Sequence, residues 1–91
     1  SGVTIVDPES TYVSPGVKVG RDTTIEPNTY LYGATQIGDR CSIGPNVRLV
    51  DTLVGSDVLM LFANAQECEI GDECKVGPFA NIRPKSRLEV D

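Results

Sequence analysis

The side chains able to do chemistry in this 91-residue chain are few, and their types exclude more than they permit. There are three cysteines and no histidine. Without an imidazole the chain has no histidine general base, no histidine-based triad and no histidine metal ligand. Cys41, Cys68 and Cys74 are an odd set without a CxxC pair. They read as small buried hydrophobes, with a metal site or a disulfide as the lesser alternatives. The 13 carboxylates bracket no pocket, and the 8 lysines and arginines stand singly. With a formal charge of −5 and no basic cluster, nucleic acid and anionic membrane are excluded as partners, and the acidic balance serves solubility. No apolar run approaches the roughly 20 residues of a membrane span. No secretory signal pattern opens the chain, so a cytoplasmic location is expected.

The elements that must hold these residues follow from a repeated phrase of six. Ile37, Ile43 and Leu49 are six apart, and the spacing extends back through Leu31, Ile25, Val19 and Val13. Forward it reaches Val54 and Met60, then Ile70, Val76, Ile82 and Leu88. Two residues before each stands a small or β-branched residue, among them Thr23, Thr29, Thr35, Cys41, Thr52, Cys68 and Cys74. Glycine follows the aliphatic position at 20, 38, 44, 55, 71 and 77, and proline stands one further on at 15, 27, 45, 78 and 84.

Strand positions two apart face the same side, so the small and the aliphatic residue both point inward. Glycine supplies the dihedrals of a tight corner, and proline fixes φ where no ladder N–H is needed. Three strands and three corners close a triangular coil of about 18 residues, and such coils stack at roughly 4.8 Å. The fold class is all-β, a parallel β-helix of about four to five coils in a single domain. Only 5% of residues are aromatic and none is Trp, which suits a narrow prism filled by Ile, Val and Leu.

Residues 1–11 read as a lead-in to the repeat, and 12–91 as a partial β-helix domain. The spacing falls to five between Leu49 and Val54, and Ile70 follows Met60 by ten rather than twelve. Such breaks mark a tightened corner or bulge. Tyr30 and Tyr32 flank the inward Leu31 and so face outward, exposed or under a neighbouring subunit. Phe62, within the apolar run VLMLFANAQ, is too large for the small slot and is expected to reach outward or across a subunit interface. The pattern is still running at Asp91 with no polar cap, as in a piece of a longer solenoid truncated at its C-terminal end.

The lead-in GVTIVDPEST, the run IGDRCSIGPNVRLVD and above all VGPFANIRP resemble the bacterial bifunctional UDP-N-acetylglucosamine pyrophosphorylase/glucosamine-1-phosphate N-acetyltransferase family. The likeness spans essentially the whole chain and corresponds to the early coils of that family's C-terminal β-helix. It implies left-handed coiling and a homotrimer. It also implies acetyl transfer from acetyl-CoA to glucosamine-1-phosphate, and magnesium-dependent nucleotidyl transfer by a separate upstream domain. These two reactions make UDP-N-acetylglucosamine for peptidoglycan and lipopolysaccharide. By the GPFA-x-x-RP motif, Arg83 is implied to contact the sugar phosphate. A guanidinium is permanently charged and can grip phosphate with two parallel hydrogen bonds, and Arg83 follows an inward residue and so points out. The family's glycine after Arg-Pro is Lys85 here, which alters the corner or adds to an anion site.

No catalytic residue is assigned within the chain. Acyltransferases of this architecture generally use a histidine base, and the zinc carbonic anhydrases built on left-handed β-helices need histidine ligands; neither chemistry is complete here. The chain is thus expected to be an inactive piece of the acetyltransferase domain. The alternative is a structural β-helix module for trimerisation or scaffolding. An ice-binding surface is disfavoured because the threonines occupy inward slots.

Overall fold

The computed structural model describes residues 2–89 and contains 15 short strands joined by corners. Every strand pair is parallel, and the strands sort into three sheets of five. The first face stacks Thr4–Ile5, Thr24–Ile25, Ser42–Ile43, Leu59–Met60 and Lys75–Val76. The second stacks Tyr12–Val13, Tyr30–Tyr32, Val47–Val50, Ala63–Gln66 and Ala80–Ile82. The third stacks Lys18–Val19, Gln36–Ile37, Leu53–Val54, Glu69–Ile70 and Arg87–Leu88. The result is a five-coil, left-handed parallel β-helix. Thr4 and Ile5, inside the lead-in, pair with Thr24 and Ile25 and begin the first coil, and a 3-10 turn at Pro8–Ser10 carries the chain to the second face. Val90 and Asp91, where the sequence pattern stops, lie outside the described residues.

The repeat's inward positions form the core. Ile25, Leu31, Ile43, Leu49 and Met60 are fully buried, and Ile37, Val54, Ile70 and Val76 nearly so, while Val13, Val19, Ile82 and Leu88 pack partly buried against them. Each fully buried Ile or Leu stabilises the prism by about 1.5–3 kcal/mol. The small slot holds Thr23, Thr29, Thr35 and Thr52, all fully buried, and the three cysteines, all free thiols.

The two breaks in spacing are shortened sides. Leu49 pairs with Ala65, so Ala65 takes the inward slot midway between Met60 and Ile70. The ten-residue gap is therefore two five-residue sides with an alanine where the pattern wants a large aliphatic. Met60, unbranched and suited to irregular space, shares that coil.

The corners differ from expectation in one respect. Of the six repeat glycines only Gly44 and Gly77 have positive φ. The left-handed residue at most corners is instead not glycine: Asp22, Arg40, Asp57 and Glu73 on one edge, Asn28, Asn46, Phe62 and Phe79 on the next, Asp51, Glu67 and Lys85 on the third. The turn aims that residue's N–H at the coil beneath. Arg40 donates to the Arg21 carbonyl (2.8 Å), Phe62 to Pro45 (2.9 Å) and Lys85 to Glu67 (2.7 Å). Strand N–H groups serve both neighbouring coils: Thr24 donates to Cys41 of the following coil (2.9 Å) and Ala80 to Phe62 of the preceding one (3.0 Å). Satisfied backbone bonds offset the roughly 1–2 kcal/mol cost of each left-handed residue.

Candidate functional site

Arg83 follows the top strand of the second face, directly after the inward Ile82, and is exposed. Its carbonyl turns inward, accepting the Ser86 N–H (3.3 Å) and lying 2.9 Å from the Cys68 thiol of the coil beneath. The side chain is thereby left on the outer edge. Pro84 follows, then Lys85, exposed and left-handed at φ +65°. A lysine thus occupies a conformation that glycine adopts freely, and the corner keeps its shape through the Lys85–Glu67 backbone bond.

Among the described residues Arg40 and Arg87 join ion pairs, whereas Arg83 and Lys85 do not, nor do Lys18, Arg21, Arg48 and Lys75. Arg40 is held by both carboxylate oxygens of Asp57 (2.9 and 3.0 Å), and Arg87 by Glu69 and Glu89. The hydrogen bond and charge of Asp57 raise the Arg40 pKa, and Arg40 in turn holds the Asp57 carboxyl below the usual carboxylate range. Arg83 and Lys85, separated by Pro84, are thus two exposed cations without an ion-pair partner among the described residues.

The outer surface of the second face holds polar residues that the sequence reading missed. Arg48, Asn64 and Asn81 are in register on successive coils. Arg48 donates to Asn64 Oδ1 (3.4 Å), and its guanidinium carbon sits 5.6 Å from the Tyr32 ring centroid. Writing the outward residues in columns at the coil spacing would have found them. Lower on this face Tyr32 packs against Tyr12 (centroids 5.3 Å) and Tyr30 (6.4 Å). Tyr30 is exposed and Tyr32 half-buried, both outside the prism as the alternation requires. Phe62 also reaches outward, half-buried against Phe79 (5.3 Å), which is 84% exposed.

The remaining candidates do not gather. Cys41, Cys68 and Cys74 are buried in separate inward slots, and desolvation pushes the Cys41 thiol pKa up, the opposite of a reactive thiol. Among the described residues no group of three or more Cys, Asp or Glu is gathered closely enough to hold a metal ion. No helix is long and apolar enough to cross a membrane.

A model of the bacterial transferase hexapeptide (six repeats) matches residues 11–50. Over 98% of its length the chain is 48% identical to the bifunctional protein GlmU of Caldanaerobacter subterraneus subsp. tengcongensis. It is 47% identical over 96% to that of Carboxydothermus hydrogenoformans. The chain matches a segment of the bifunctional GlmU proteins. It spans about 20% of the length of each of these relatives. Among solved structures, a mutant perosamine N-acetyltransferase from Caulobacter crescentus, in complex with CoA and GDP-perosamine, has the same fold. Its TM-score is 0.61 at 16% identity, covering 98% of this chain and 52% of that one.

Proposed function

We propose that the chain forms the early coils of an acetyl-CoA-dependent glucosamine-1-phosphate N-acetyltransferase domain. The whole protein would be a bifunctional, cytoplasmic, homotrimeric enzyme making UDP-N-acetylglucosamine for the cell envelope. The observation that carries this reading is the coincidence of the GPFANIRP run with an exposed, unpaired Arg83 beside Lys85, in a chain so similar to a GlmU segment.

In this reading Arg83 binds and orients the sugar phosphate, and Lys85 adds charge on the far side of Pro84. Acetyl-CoA would supply the acyl group. Acylation of the sugar amine needs a base to accept its proton, and the chain has no histidine for that task. The base, the thioester groove and the magnesium-dependent nucleotidyl transfer are assigned to the rest of the longer relatives.

The reading is tested with the purified chain, acetyl-CoA and glucosamine-1-phosphate at high concentration, following free thiol release and, separately, sugar-phosphate binding. Binding lost in Arg83→Ala, with no turnover above the uncatalysed rate, is expected. Turnover in the isolated chain would refute the assignment of the base elsewhere. No binding by wild type would favour a trimerisation or scaffolding module, a second reading supported by the exposed Phe79 and the tyrosine cluster.

A further inference from the structure

We propose that Cys68 is a positioning residue for Arg83: its thiol fixes the carbonyl of the Arg83–Pro84 corner and so sets the direction in which the guanidinium leaves the prism. The inference rests on the reading of Arg83 as a phosphate-binding residue.

Cys68 is 2% exposed, in the small inward slot two residues before Ile70. The same slot on the third face is filled by Thr35 and Thr52 in the two coils beneath. The Thr35 hydroxyl donates to Tyr32 O (2.8 Å) and accepts the Thr52 N–H (3.2 Å), while the Thr52 hydroxyl donates to Val50 O (2.9 Å). Both hydroxyls therefore donate to carbonyls of their own coil. The Cys68 thiol keeps that contact, at 3.0 Å from Gln66 O, but also lies 2.9 Å from Arg83 O in the coil above. In this column it is the donor that crosses to the next coil's corner. The first face shows the same crossing, where the Thr23 hydroxyl donates to Gly38 O (2.8 Å) and the Cys41 thiol lies 3.1 Å from Gly55 O.

The peptide it touches is the one that matters for the site. With the Arg83 carbonyl fixed inward, the plane of the 83–84 peptide is set, and Pro84 fixes its own φ. Arg83 has no ion pair among the described residues to hold its side chain. Its orientation is therefore inherited from its backbone, and displacement of a binding group by a fraction of an ångström is enough to weaken a bidentate contact.

The test uses the 91-residue chain labelled with 15N, following the Arg83 Nε–Hε resonance during titration with inorganic phosphate and, in parallel, glucosamine-1-phosphate. Cys68→Ala and the shape-filling Cys68→Val both lack the donor and should raise the apparent Kd about threefold or more, the loss expected for one hydrogen bond acting through a neighbour. Cys68→Ser retains a donor and should recover most of the affinity. Cys74→Ala removes another buried thiol, one that lies 3.7 Å from Leu88 O, and should bind as wild type does. Urea midpoints on all four variants separate binding loss from unfolding. Wild-type affinity in a folded Cys68→Ala or Cys68→Val, or equal losses in the serine and alanine variants, would overturn the proposal alone. No saturable Arg83 response in wild type would overturn the phosphate reading together with it.

Discussion

Two edges of the prism solve the same geometric problem and treat their charges in opposite ways. On the edge between the third and first faces, Gly20, Gly38, Gly55 and Gly71 stack, and each is followed by a polar residue. Those side chains stitch coil to coil: Asp39 accepts the Arg21 N–H (2.8 Å), Ser56 the Asp39 N–H (3.0 Å) and Asp72 the Ser56 N–H (2.8 Å). Arg40 is spent on Asp57, while Arg21 joins no ion pair among the described residues. On the edge between the second and third faces Asp51 accepts the Ala34 N–H (2.8 Å) and Thr35 the Thr52 N–H (3.2 Å), and above them Arg83 and Lys85 face solvent. The same left-handed backbone underlies both edges, so fold alone does not require the second to leave two cations unused. A charge that stabilises nothing internally stays available to a ligand.

The contrast can be broken most severely at Gly38. A Cβ there would lie 2.7 Å from the Gly55 carbonyl oxygen, so Gly38→Ala should cost about 3 kcal/mol, read as a lowered urea midpoint. Next, Asp39→Ala removes one charge-assisted stitch and should cost about 1.5 kcal/mol by the same measurement. On the arginine edge Lys85→Gly should move the midpoint the other way, by up to about 1 kcal/mol, because glycine relieves the left-handed penalty. Arg83→Ala should leave the midpoint within about 0.5 kcal/mol while removing phosphate binding, which is the sharpest form of the contrast. The smallest effect concerns pH. Asp57 has a folded pKa below its unfolded value, so its contribution is present above the ordinary carboxylate range and fades as pH falls through the lowered folded pKa. Both groups are exposed, so the slope should be slight, suppressed by salt and absent in Asp57→Asn.

The interior was legible in the sequence because side-chain size alone specifies it: Ile25, Ile43 and Met60 need an apolar slot and Thr23 and Cys41 a narrow one. Arg83 was placed outward by the same alternation, from its position after Ile82. The corners were less legible. Left-handed φ falls on Asp, Asn, Arg, Glu, Phe and Lys alike, since the inter-coil backbone bond stabilises the turn and leaves the side chain free. Gly38 is there for close approach, not for its dihedrals, and sequence does not separate those two uses. Ala65 escaped notice because a small residue at a large slot reads as a break. Arg48, Asn64 and Asn81 are neighbours only across coils, 16 and 17 positions apart in the chain.

The backbone bonding has a consequence for how the prism can come apart. Corner N–H groups such as those of Arg40, Phe62 and Lys85 reach the coil beneath, and strand N–H groups such as that of Thr24 reach the coil above, so a coil is bonded to its neighbours and hardly to itself. Opening one coil therefore strips partners from the next, and unravelling should run along the axis one coil at a time.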